Sequence, residues 1–453
     1  MKLKTKKFYS VLLTCVLITA CQTSNMKTNR DPAEEQTAAE KAEKKAEKKI
    51  AKKEMRTYLK NLSVEERTAY LQKARVTNLK YDATKVSSID VVTDLETACG
   101  PEYRYSKTSG TAKKGYFFNK KKYNYDSYSW PTVECNYKPD PQLGGGTAKF
   151  QCDFKDDSAD GIETHKVKYA RDPSEPDHAE VLETTVAPLL ARLVGFYSET
   201  YCPAQVVCKN CSSQDPWKEK HSAARASQET YNFPLTVVEY PLKAHTMSNK
   251  DIHPYVQGIE WYELKMAKGD SDQETKNLLI EREAWMLWLN FIQHTDAGSY
   301  NERLSCLEVE MAADGKPVCK KSIMYTHDYG HAFYKKFEFD SWAARDPFKP
   351  SQQGQSCIGN MTMEDLGLNP KSHFSGIIFS PAISSEARDL LVQRLELITD
   401  TQLEAVFQLG RLEELMAYPT RDLVATFRKK IAQMKSANCL PFDAGKSVLY
   451  PTK

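Results

Sequence analysis

The spacing of apolar positions divides the chain into stretches of different period. Residues 11–20 are an apolar run preceded by Lys2, Lys4, Lys6 and Lys7. Residues 33–55 are mostly Ala, Glu and Lys with almost no large apolar side chain. That composition predicts a solvated helical spacer about 35 Å long when fully helical. Residues 58–74 carry an amphipathic helical period. Further on, alternation predicts strands over 149–154, 164–170 and 235–240, the last ending before Pro241, with a helix over 179–193 closed by Gly195. Residues 274–293 predict a long helix whose Trp285, Leu287, Trp288, Leu289 and Phe291 read as core. Residues 303–311 and 318–326 alternate on either side of Asp314-Gly315, a hairpin signal. Helical spacing then returns three times, behind Ser384 or Ser385 as N-cap and over 401–416 and 420–434. Strands before helices predict an α+β fold.

The ends of the first stretch bear on location. A basic start and a short apolar run have the layout of a secretory signal, too short to span a bilayer comfortably. The run closes on Ile18-Thr19-Ala20-Cys21, which resembles a bacterial lipobox. The resemblance implies a signal peptide over 1–20, cleavage before Cys21, acylation of its thiol and amine, and a lipid-anchored tether over 21–56. Gln22 resembles the outer-membrane sorting pattern, so the expected location is the bacterial cell envelope. Losing the leader's four lysines takes the formal charge from +3 to −1, which gives no argument for a nucleic-acid partner. The basic and aromatic stretch 116–123, within an N-terminal extension over 57–140, reads as a solvated hairpin.

Ten cysteines remain beyond Cys15 and Cys21, an even number that suggests disulfides in an exported chain. Cys306 and Cys319 lie one on each hairpin strand and could cross-link it. Cys208-Lys209-Asn210-Cys211 also has zinc-ligand or redox spacing, and Cys202, Cys208 and Cys211 could join Cys306 or Cys319 as a tetrathiolate. An oxidising compartment favours disulfides over zinc.

The candidate chemistry lies around the hairpin. His294-Thr295-Asp296 and Asn301 precede its first strand, and Asp328-Tyr329-Gly330 follows its second. One carboxylate to orient a hydroxyl, with an amide and a second carboxylate to hold magnesium on phosphates, is what phosphoryl transfer needs. Upstream, Gly144-Gly145-Gly146 lets backbone N–H groups approach phosphates. Lys168 follows on a strand, and Glu183 or Glu180 on the next helix can pair with it. This order, with Lys149 after the glycines and Asp296 five residues before Asn301, resembles the HipA-type branch of the protein-kinase-like fold and secreted bacterial kinase-like proteins.

The resemblance implies a bilobal fold, with a β-rich N-lobe over 141–242 and a helical C-lobe over 243–445, and an ATP–Mg²⁺ site between them. Lys168 then meets the phosphates, Glu183 orients it, Asp296 is the catalytic aspartate, and Asn301 and Asp328 bind the metal. The expected reaction is transfer of the γ-phosphate to a hydroxyl on a protein or small molecule. Three features depart from the pattern: Thr295 stands where kinases carry Arg, no Ala-Pro-Glu follows within the usual reach, and Lys166 shares a strand face with Lys168. The alternatives are a catalytically silent binding lipoprotein on the same fold and a metal phosphohydrolase using His294, Asp296, His327, Asp328 and His331.

Overall fold

The computed structural model of the chain describes residues 43, 46, 50–51, 53–113, 122–140, 143–144, 147–155, 162–170, 177–219, 229–249, 258–259, 261–297, 301–333, 339–348, 357–359, 382–416 and 418–442. The leader, Cys21, Gly145, Gly146 and residues 116–121 lie outside them. The chain divides into two units, 1–55 and 56–453. In the first, residues 43, 46, 50, 51 and 53–55 are helical. No helix among the described residues is long and apolar enough to cross a membrane.

The second unit is mixed α+β. Strands β1 (Ser106–Lys113) and β2 (Lys122–Ser129) form an antiparallel ribbon. Five strands then close a barrel in the order β3–β4–β5–β7–β6. They are β3 (Thr132–Lys138), β4 (Lys149–Lys155), β5 (Ile162–Tyr169), β6 (Thr200–Lys209) and β7 (Thr230–Tyr240). Closure is by the parallel pair β3–β6, while the other neighbours are antiparallel. Phe150, Tyr169 and Phe233 pack on one another, with ring centroids 4.9–5.6 Å apart. Side chains alternate along a strand, so Val167 and Tyr169 inside the barrel put Lys166 and Lys168 on its other face.

The hairpin comes next in the β series. Strand β8 (His245–Thr246) pairs with β9 (Glu302–Met311), and β9 pairs with β10 (Pro317–Thr326). Its turn is closed by Asp314, whose carboxylate accepts from Lys316 N–H, and by Gly315 at φ +79°.

Helices cover these sheets. Helix α1 (Val64–Lys73) begins with a reciprocal capping box between Ser63 and Glu66. Helix α2 (Val91–Cys99) is capped by Asp90. Helix α3 (Asp177–Leu193) is buried along most of its length against the barrel. Helix α4 (Asp272–Phe291), capped by Ser271, is buried from Leu278 onward except at Ile280, and its Trp285 and Trp288 are inaccessible. Helix α5 (Ser385–Glu396) starts at Ser384, which donates to Glu283 of α4 and so fixes the two helices together. Helix α6 (Asp400–Leu409) ends at Gly410, where a Cβ would lie 2.4 Å from Val186. Arg411 turns the chain at φ +53°, so the helical stretch expected over 401–416 is two helices. Helix α7 (Thr420–Ser436) completes the layer.

All ten cysteines beyond Cys21 are paired, as Cys99–Cys202, Cys135–Cys152, Cys208–Cys211, Cys306–Cys319 and Cys357–Cys439. The hairpin cross-link is present. The tetrathiolate of Cys202, Cys208 and Cys211 with Cys306 or Cys319 is not, because Cys202 is bonded to Cys99 and the hairpin sulfurs to each other.

Candidate active site

Lys168 is fully buried, and its Nζ lies 2.6 Å from Asp328 Oδ1 and 3.2 Å from Glu180 Oε1. Burial disfavours its charge, but Asp328 and Glu180 outweigh that and raise its pKa. Burial likewise pushes the Asp328 carboxyl up, yet Lys168 and Lys166 hold it well below the usual carboxylate range. The pair is therefore ionised near neutrality. Asp328 Oδ1 also accepts from Gly330 N–H at 2.9 Å, which folds Asp328-Tyr329-Gly330 into a tight turn. A Cβ on Gly330 would lie 2.7 Å from Glu180 Oε1. Glycine at 330 is what lets the Glu180 carboxylate reach Lys168.

The second cluster forms where α4 ends. Gln293 at φ +49° turns the chain, and His294 N–H bonds back to Leu289. His294 is buried and stacks on Tyr329, ring centroids 5.6 Å apart. Burial pushes its imidazole down to about 4, against the pull of Asp328, so it is neutral at pH 7. Asn301 Nδ2 donates to both the backbone oxygen and Oδ2 of Asp296 at 2.8 Å. The pairing Glu302↔Thr326 at the base of the hairpin brings Asn301 beside His327, whose N–H donates to Asn301 O at 2.7 Å. Asn301 and Asp328 thus leave opposite strands of one hairpin at the same end.

The two clusters are joined through His331. Thr295 N–H donates to His331 O at 3.0 Å, and His331 N–H donates to Glu183 Oε2 at 2.6 Å. One hydrogen-bonded network therefore links the segments carrying Asp296, Asn301, Asp328 and Glu183. Lys168 joins it through Asp328. The carboxylate paired with Lys168 is Glu180 and not Glu183. The two are three residues apart on α3, and the earlier one faces Lys168 while the later one faces the backbone after Gly330.

Of the glycine run, only Gly144 is described, and a Cβ there would meet open space. Thr147, just beyond the run, donates its hydroxyl to Glu180. Lys166 is occupied elsewhere, 2.5 Å from Glu239 Oε2.

Two residues to which the sequence assigned no role belong to this face. Lys149 is the cross-strand partner of Lys168, is buried, and lies 5.4 Å above the Trp217 ring. Burial, then Lys168 and Lys166, push its pKa down to about 8. Glu239 is the only charged residue in the apolar stretch 235–240, which was the available signal for it. Among the described residues, His294, Asp296, His327, Asp328 and His331 do not bring three ligand atoms together, as a metal hydrolase would need; His327 instead faces Glu199 at 3.0 Å. A cavity of about 570 Å³ lined by Val133, Phe154, His165 and Tyr240 contains none of the site residues.

No protein-family model matches the chain, and no curated protein does. Among solved structures, the chain is similar to the proinflammatory kinase CtkA of Helicobacter pylori, at 10% identity and a TM-score of 0.32. That match covers 67% of this chain and 99% of the other. It is also similar to a toxin–antitoxin complex of HipA, HipB and operator DNA from Shewanella oneidensis, at 10% identity and a TM-score of 0.26, over 66% of each chain.

Proposed function

We propose that the protein is an extracytoplasmic, lipid-anchored phosphotransferase that moves the γ-phosphate of ATP to a hydroxyl on a protein or small molecule. The observation that carries the reading is the Lys168–Asp328–Glu180 ion cluster linked through one network to Asp296 and Asn301. Lysines 168 and 149, on neighbouring strands, would receive the phosphates. Asp296, held by the Asn301 amide, would orient the acceptor hydroxyl and take its proton. Asn301 and Asp328 present an amide oxygen and a carboxylate, hard oxygen donors suited to Mg²⁺. The metal, when bound, neutralises charge on the phosphates. Glu180 would keep Lys168 aimed when Asp328 turns to the metal.

Calorimetric titration of the 56–453 unit with ATP, with and without Mg²⁺, tests the reading. The expected result is Mg²⁺-dependent binding that Asp328→Ala removes, with Asp296→Ala binding normally but transferring no phosphate. Transfer retained by Asp296→Ala would refute the mechanism. The alternative is a silent binding protein, favoured by the fact that Lys168 and Asp328 already satisfy each other at 2.6 Å; absence of nucleotide binding would select it. Anchoring through Cys21 predicts incorporation of labelled palmitate that Cys21→Ser abolishes. Labelling that survives the substitution would remove the anchor from the proposal.

A further inference from the structure

We propose that Cys135, Cys152, Cys208 and Cys211, present here as two disulfides, constitute one tetrathiolate site for zinc when the chain is reduced. Four observations place them together. Cys135 and Cys208 are direct partners across the parallel β3–β6 pair that closes the barrel. Cys152, on β4, is bonded to Cys135 across the next pair. The sulfurs of Cys135, Cys152 and Cys208 all lie within 4.8 Å of one another. Cys211 is bonded to Cys208, brought back by Asn210 at φ +56°. Zinc with Zn–S bonds of about 2.3 Å needs four sulfurs about 3.8 Å apart; three of them already lie within 4.8 Å of one another, and Cys211 sits on the turn directly after β6, bonded to the third. All four residues are buried, so a metal there is closed to water as structural zinc is. Thiolate sulfur selects soft, tetrahedral cations over magnesium or calcium.

The interconversion balances. A dithiol supplies two electrons and two protons to each disulfide and leaves as its own disulfide, giving four thiols. One Zn²⁺ then displaces four protons to give the tetrathiolate. The disulfide Cys135–Cys152 fastens β3 to β4, while Cys208–Cys211 is local to the end of β6; zinc held by all four sulfurs would fasten β3, β4 and β6 together. Outside this cluster, Cys99–Cys202, Cys306–Cys319 and Cys357–Cys439 are single pairs among the described residues, with no third sulfur in reach. The inference stands apart from the nucleotide site.

The full chain, reduced with a phosphine under nitrogen, is titrated with Co²⁺ as a spectroscopic probe. One equivalent should give sulfur-to-cobalt charge transfer and the visible bands of tetrahedral cobalt, bleached by one equivalent of Zn²⁺. Cys135→Ser and Cys152→Ser should each weaken cobalt binding at least tenfold, whereas the Cys306→Ser/Cys319→Ser pair should leave it unchanged. Circular dichroism of each sample reports whether the strands persist. A folded, reduced chain without tetrahedral bands overturns the proposal, as do bands indifferent to Cys135 and Cys152.

Discussion

Lys149 is a cation held in a place that disfavours its charge. It sits opposite Lys168 on the next strand, over the Trp217 ring, with its pKa lowered to about 8 by burial and by Lys168 and Lys166. Positive charge that Asp328 and Glu180 only partly offset suits a site that receives an anion. It also has a consequence for stability. The folded value lies below the unfolded value of 10.5, so between these limits the unfolded chain holds more protons and stability rises with pH. The cost of burying the charge, about 3 kcal/mol from the size of the shift, is present below pH 8 and relieved toward pH 10.5. Lys149→Met should therefore stabilise the protein at pH 7 and lose that advantage by pH 10, read from urea unfolding at each pH. A difference between the two proteins that is flat with pH would contradict this account. The neighbouring choice between Glu180 and Glu183 was open in the sequence because both lie on one helical face. Packing against Thr147 and Gly330 decides it, and neither contact leaves a mark in helical periodicity.

Elements with a strong local signal were legible. Helix α4 announces itself by length and aromatic content, and β9–β10 by alternation around Asp314-Gly315. Asn301 and Asp328 flank that hairpin, so their meeting follows from strand pairing alone. The barrel was legible only in pieces, because β3 and β6 pair in parallel across some seventy positions and nothing local records that (Cys135↔Cys208). The region 57–140 was obscure for a related reason, since its helices are satisfied by distant groups. Arg282 of α4, almost inaccessible, donates to the carbonyls of Leu71, Gln72 and Ala74 at the end of α1 and to Leu264. The Leu71 and Gln72 carbonyls also accept from Ala74 N–H and Lys268 N–H, so the guanidinium adds second bonds to the helix end. Burial lowers the Arg282 pKa only to about 9, so it stays charged at pH 7. Arg282→Met should cost about 3 kcal/mol, since four charge-assisted hydrogen bonds to buried carbonyls are lost at once. A loss below about 1 kcal/mol in urea unfolding would mean that water replaces the guanidinium.

Across the whole molecule, the ties are long. Cys99–Cys202 spans 103 residues and Cys357–Cys439 spans 82. Arg67 pairs with Glu263, and Arg75 bridges the far strand β10 through Ser322 and Met324. These distances set an order of events during synthesis. Helix α1 is made early, yet the groups that hold it, from Glu263 to Met324, come some two hundred to two hundred and fifty residues later. At ordinary rates of translation that is a wait of roughly ten seconds to a minute. Through that interval the N-terminal segment has none of these partners, open to proteases and to chaperones, and the fold can be sealed only when the hairpin that carries the candidate site has itself emerged.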